Sequence, residues 1–214
     1  MASSMRPRVE LRSVFTRNKL LIGIVAVAFF SVLIASSLVA YAPLSASPSF
    51  VAFVRENLGS TTGYVTIPGP YTIELYRLIF FNNIGHFWNP VRAWVWLPFV
   101  GMFSLGFELI INAVVIGGVI SFATLTKGST FTIAGLTPHG VFEIPAFILE
   151  FAGLARWHVT ATRAIYSKLS GRKIDRPLFT EGVKDSLVLS LVSVALFAIA
   201  AYIEAFVTPR FLGL

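Results

Sequence analysis

The sequence predicts an all-α polytopic membrane helix bundle with five transmembrane helices, the N-terminus inside and the C-terminus outside. Three observations carry that expectation. The chain of 214 residues is 56% hydrophobic and only 13% charged, with a mean hydropathy of +0.78, beyond what an ordinary soluble domain carries. Its apolar residues fall into runs long enough to span a bilayer. Its basic residues, which give a net charge of +7, sit beside those runs, where they set topology rather than bind phosphates. The lipid bilayer is therefore the expected partner, and nucleic acid is not. The lack of cysteine excludes disulfides, zinc thiolate sites and cysteine nucleophiles.

Residues 1–19 carry Arg6, Arg8, Arg12, Arg17 and Lys19 against Glu10 and read as a basic cytoplasmic tail. Residues 20–41 hold no charge and form the first span, a retained signal anchor longer than a usual signal-peptide core. Residues 42–70 are rich in Ser, Thr, Pro and Gly and read as an external loop. A short helix fits within it, with Ser47 as N-cap, Pro48 at the first position and Gly59 as the stop. The membrane core is expected over residues 71–209.

Its first segment starts at Tyr71, carries Glu74 and Arg77 near the outer end and Asn82 and Asn83 deeper. Its inner end has two readings. Either the helix is long and kinked, its apolar run broken only at Pro98 and Gly101, or it ends near Trp88 and an interfacial hairpin follows. The third span, about residues 105–124, places Glu108 and Asn112 at i and i+4, and its Ala113 and Gly117 form a small-xxx-small pair that admits a close neighbour. Residues 126–137 read as a short outer loop. The fourth span follows over about residues 138–157, with Thr137 as N-cap and Pro138 at the first position.

Residues 156–184 hold seven basic residues against Asp175 and Glu181 and read as a cytoplasmic loop. Ala161, Ile165 and Leu169 are spaced for a membrane-surface helix ended by Gly171. The fifth span begins near Thr180 or Glu181 and ends before Pro209, leaving residues 210–214 outside. Two seams follow at spacings of four and three. One is His139, Glu143, Ala146, Glu150, Gly153 and Trp157; the other is Ser186, Ser190, Ser193, Phe197, Ala200 and Glu204. Helices 2 to 5 are expected to form the core, with helix 1 more peripheral.

Four of the ten acidic residues, Glu108, Glu143, Glu150 and Glu204, fall inside expected spans, where a charge costs a few kcal/mol or more. Topology sorts them by depth. His139, Glu143 and Glu204 share the outer half with Arg77, Asn82 and Asn83 as a structural polar cluster. Glu108, Asn112 and Glu150 share the inner half, near Arg92 and Arg156. Two uses compete for such groups: fastening helices together by pairing, or forming an ion, proton or metal path with His139, Glu143 and Glu204 as ligands. An intramembrane hydrolase is a third reading, but the His-Glu-x-x-His spacing is missing, as are nucleotide-binding and G-x-S-x-G motifs. No catalytic residue, metal or cofactor is assigned from the sequence. His86 and His158 fall at expected interfaces and read as satisfied surface residues.

Three motifs together resemble the stage II sporulation protein M family. They are Ile79-Phe80-Phe81-Asn82-Asn83, then Leu136-Thr137-Pro138-His139-Gly140-Val141-Phe142-Glu143, then the run from Ala200 to Pro209 that contains Tyr202-Ile203-Glu204-Ala205. The Pro-His-Gly-x-x-Glu element is the most specific, and the resemblance covers roughly residues 71–209. It implies a five-span plasma-membrane protein without catalytic activity, which in endospore-forming bacteria acts as a scaffold for a wall-degrading complex used in engulfment. Two places depart from the family pattern: Ala113 follows Asn112 where glycine is usual, and residues 85–91 look like an insertion. The resulting expectation is a non-enzymatic scaffold or assembly subunit of an envelope-remodelling complex, working as a homo-oligomer or with other envelope proteins. The alternative is a transporter or channel component using buried carboxylates.

Overall fold

The computed structural model describes residues 11–46 and 68–213, so the short helix expected between Ser47 and Gly59 lies outside the described residues. In chain order the elements are α1 (Leu11–Ala46), α2 (Ile73–Asn83), α3 (Gly85–Trp88), a 3₁₀ turn (Ala93–Trp96), α4 (Val100–Lys127), α5 (Ser129–Leu169), α6 (Arg176–Phe206) and α7 (Thr208–Phe211). The described residues contain helices and no strands. Four of the helices, α1, α4, α5 and α6, are long and apolar enough to cross a membrane.

The organising unit is the antiparallel hairpin of α5 and α6. Small residues let its helices meet at backbone distance. Ser186 Oγ donates to the Gly153 carbonyl at 2.7 Å, and a methyl on Gly153 would sit 3.0 Å from Ser190 Oγ. Further along, a methyl on Gly182 would fall 2.2 Å from Thr160 Oγ1. Close approach of this kind maximises dispersion contact, which must do the work where lipid is as apolar as the side chains. The seam residues Ser186, Ser190, Ser193, Phe197 and Ala200 are all buried, as are His139, Ala146, Glu150 and Gly153 on the facing helix. Glu143, Trp157 and Glu204 are half-buried.

The turn between these helices differs from the expectation. α5 runs on to Leu169, so Ala161, Ile165 and Leu169 belong to it and not to a separate surface helix. Gly171 at φ +67 then ends it, with Arg172 N–H bonding back to the Ser167 carbonyl at 2.8 Å, a left-handed stop that glycine adopts without a Cβ clash. Asp175 caps the next helix by accepting from Leu178 N–H at 3.0 Å, so α6 starts at Arg176 rather than at Thr180. At the other end, only Gly128 at φ +90 separates α4 from α5. The outer loop expected over residues 126–137 is helical, Thr137 is not an N-cap, and Pro138 and Pro145 lie inside α5. Each proline forfeits one backbone N–H, a loss that packed membrane helices accommodate.

A second pair is α1 and α4. The buried residues of α4 recur every fourth position, Gly101, Leu105, Leu109, Ala113, Gly117 and Ser121. α1 packs against them. Ser121 Oγ donates to the Ser37 carbonyl at 2.7 Å, Ser36 Oγ reaches the Ala113 carbonyl at 3.3 Å, and a methyl on Gly117 would lie 2.2 Å from Ser36 Oγ. The partner of the Ala113 and Gly117 pair is therefore α1, which is the least buried of the four long helices, as expected of a more peripheral span. Phe29 joins it to the hairpin, 5.4 Å from the Phe147 ring. α1 also begins at Leu11, nine positions before the expected span, because Arg17 and Asn18 are held by α6.

Between α1 and α4 the chain follows a broken path. Tyr71 N–H bonds to the Ala205 carbonyl at 3.0 Å, fixing the start of this segment near the end of α6. Thr72 caps α2 through Leu75 N–H at 3.2 Å. α2 stops at Asn83, α3 makes one turn, and Asn89 Oδ1 accepts from Val91 N–H at 2.9 Å to reverse the chain. The segment finishes beside the far end of α5, where Trp157 Nε1 donates to the Trp96 carbonyl at 3.0 Å. Of the two readings of this region, the helix that ends early is the one observed, and it ends five residues before Trp88. Gly85 permits the break: a methyl there would lie 2.6 Å from Arg92 Nη1, which donates to the Asn82 carbonyl at 3.0 Å.

Candidate functional site

Three polar centres lie along the bundle. At the end where α6 meets α7, His139 and Glu143 stand one turn apart on α5 and face Glu204 of α6. One ligating atom from each of the three lies within 4.8 Å of the others. His139 Nδ1 is 3.3 Å from Thr208 Oγ1, and its Nε2 points toward Glu143 Oε2 at 3.8 Å, too far for a hydrogen bond. Asn83 Nδ2 donates to Glu143 Oε1 at 3.0 Å, which brings α2 into the group. Among the described residues no lysine or arginine pairs with either carboxylate.

Of the other two residues expected in this cluster, Arg77 is elsewhere, and Asn82 lies at the edge of a cavity that Asn83, His139 and Glu143 also line. Arg77 is exposed on α2 and lines a groove with Glu74, Trp88 and Arg92. Asn82 is exposed, and its contribution is the backbone carbonyl that accepts from Arg92.

The second centre is His86 on α3, 3% exposed and set between two carboxylates. Its Nδ1 is 2.9 Å from Glu150 Oε1, and its Nε2 bonds to Glu108 Oε2. Each ring nitrogen thus has a carboxyl oxygen as its partner. Trp96 Nε1 holds the segment by donating to the His86 carbonyl at 2.7 Å, and the Phe151 ring packs edge-on at 5.8 Å. Asn112 does not join through its side chain to other helices; its Nδ2 donates to the Glu108 backbone carbonyl at 2.8 Å. The surface role expected for His86 is therefore overturned, and so is that for His158. His158 is completely buried, against Val95 and Gly101: a methyl on Gly101 would sit 2.3 Å from the Val95 carbonyl oxygen and 2.6 Å from His158 Cε1.

The third centre is Asp185 of α6, also completely buried. Arg17 Nη2 donates to Oδ1 at 2.6 Å and Arg17 Nε to Oδ2 at 3.2 Å, Asn18 Nδ2 donates to Oδ2 at 2.9 Å, and Arg156 Nη2 lies 3.7 Å away. Arg17 also pairs with Glu181 at 2.6 Å. Three helices thus meet on one carboxylate. Arg156 serves this centre and not Glu108 or Glu150. Sequence reasoning passed over Asp185 because it adjoins a basic loop; the available signal was its position one turn after Glu181 and next to the Ser186 seam.

A cavity of about 260 Å³ connects the first two centres. Asn83, His86, Arg92, Asn112, His139 and Glu143 supply its polar wall, and Phe29 and Phe147 lie on the apolar side. His139 also borders a second cleft with Glu204, Thr208 and Pro209. The arrangement can hold a small polar or cationic species between α2, α5 and α6.

Comparison with known proteins places these residues within a family. The family model described as stage II sporulation protein M matches residues 20–209. One relative, an uncharacterized protein of Methanocaldococcus jannaschii, is 33% identical over 174 residues, covering 76% of this chain and 94% of the relative. A second uncharacterized protein of the same organism is 28% identical over 109 residues, covering 51% of this chain and 47% of the relative. No solved structure matches. With the family model extending over most of the chain, including the His139 and His86 centres and Asp185, the chain belongs to the stage II sporulation protein M family.

Proposed function

We propose that this protein is a non-enzymatic scaffold or assembly subunit of an envelope-remodelling complex, embedded in the plasma membrane with its N-terminus inside and its C-terminus outside. In this reading the broken segment from Tyr71 to Phe99 is the fifth crossing. It runs from the Ala205 level to the Trp157 level, and within its irregular part Gly85, His86 and Val95 are buried against the bundle. The observation that supports the scaffold reading most is the use made of buried charge. Asp185 and His86 each bind side chains from two other helices, so charges that are costly in lipid fasten the bundle into one body.

The partners are a second copy of this chain or other envelope proteins. Extraction of the tagged chain from native membranes in mild detergent, after crosslinking within the membrane, tests the proposal. Recovery in a defined complex of constant composition is expected; recovery as an isolated chain after efficient crosslinking would refute it.

A second reading, a transporter or channel component, is favoured by the polar cavity between Asn83 and Glu143. Liposomes containing the parent or Glu143→Gln would distinguish it: a flux present in the parent and lost in the variant supports transport, and equal permeability of protein-containing and empty liposomes removes it.

A further inference from the structure

We infer that His139, Glu143 and Glu204 form a binding site for a divalent transition-metal ion, zinc being the best match, which ties α5 to α6 beside α7. The donor set has the right chemistry. One imidazole nitrogen and two carboxylate oxygens are borderline and hard ligands of the kind zinc accepts, with a fourth position left for water. His139 and Glu143 share a helix face one turn apart, a spacing that lets two ligands converge on one ion.

The surroundings point the same way. Two half-buried carboxyl groups approach each other and His139 within 4.8 Å, and among the described residues no lysine or arginine pairs with them. The other two centres differ: the carboxylates near His86 share that histidine, and Asp185 has two arginines. What the first centre lacks, and the others have, is a basic side chain hydrogen-bonded to its carboxylates. The supporting contacts also resemble those of a ligand shell. Thr208 Oγ1 lies 3.3 Å from His139 Nδ1, which leaves Nε2 turned toward the carboxylates, and Asn83 orients Glu143 from 3.0 Å; partners of this kind fix ligand direction.

Geometry sets the closure required. Donors of a tetrahedral zinc with bonds of about 2.0–2.1 Å lie ~3.3 Å apart. The present separations of 3.8 Å for the His139–Glu143 pair and up to 4.8 Å for the set must close by ~0.5–1.5 Å to reach that spacing, a distance glutamate side chains can cover by rotation. The inference is independent of the scaffold proposal, since binding is measured on the isolated chain and assembly on the membrane complex.

The test titrates Co²⁺, then Zn²⁺ in competition, into the purified full chain in detergent after chelator treatment. One Co²⁺ per chain is expected, with the visible absorption of a low-symmetry complex that zinc abolishes. Glu204→Gln is expected to weaken binding at least tenfold, while Glu74→Gln on the exposed face of α2 leaves it unchanged. A folded parent that binds no metal, or a Glu204→Gln chain that binds as tightly as the parent, would overturn the inference. Should Glu204→Gln fail to fold, X-ray absorption on the zinc-loaded parent decides: one imidazole with oxygen ligands supports the site, and a shell without imidazole overturns it.

Discussion

Arg17 and Asp185 lie 168 positions apart in the chain and meet through a forked contact, at 2.6 Å and 3.2 Å, on a carboxylate that is completely buried. The pair joins the start of α1 to the start of α6, and Asn18 and Arg156 complete it. Asp185→Ala should therefore lower stability. Arg17 is 40% exposed, so solvent screening reduces its share, and a loss of about 1–3 kcal/mol is expected. Thermal unfolding in detergent measures it, and Lys184→Ala, exposed one position away, is the comparison. Equal melting temperatures would show that the contact carries no stability.

His86→Ala removes the group that separates Glu108 from Glu150. The completely buried Glu150 is then left without its partner, at a cost of about 3–5 kcal/mol. Adding Glu108→Gln and Glu150→Gln to His86→Ala should recover part of that loss, because the repulsion goes with the charges. A triple variant less stable than His86→Ala would contradict the pairing role.

Adjacent glycines in α4 provide a local test of the α1 contact. A methyl on Gly117 would collide with Ser36, whereas one on Gly118 meets nothing within 4 Å. Gly117→Ala should destabilise by about 1–3 kcal/mol through overpacking. Gly118→Ala should be neutral or stabilising by up to about 1 kcal/mol, from helix propensity alone. Identical unfolding curves for the two variants would place α1 elsewhere.

These residues show which parts of the molecule the sequence makes legible. Seams spaced by four and three expose the α5–α6 contact because backbone periodicity alone decides which side chains share a face. Depth within a span then brings His139, Glu143 and Glu204 together, since antiparallel neighbours put residues of equal depth side by side. His86 escapes such reasoning: α3 and the turn after it have no period, and its position depends on Gly85, Arg92 and Trp96 folding back on one another. Asp185 escapes because its partners are in a tail that reads as solvent-exposed. Helix ends are equally hidden at Thr137, where a good cap and a proline at the first position mimic a start that Gly128 supplies nine residues earlier.

Topology is open to a clean chemical test because the chain has no cysteine. Ser129 and Ser170 are both exposed, at opposite ends of α5. A membrane-impermeant maleimide should label Ser129→Cys on intact cells and Ser170→Cys only after permeabilisation. The reverse pattern would invert the proposed orientation.

The scaffold proposal rests most directly on the state of the chain in its own membrane. Native mass spectrometry of the chain released from native membranes into a polymer disc, without exchange into harsh detergent, reads that state. The account predicts a mass well above the 23.4 kDa of one chain, made up of at least one further copy or a fixed set of other envelope proteins. A single chain surrounded by lipid alone, in discs large enough to hold several, would contradict it.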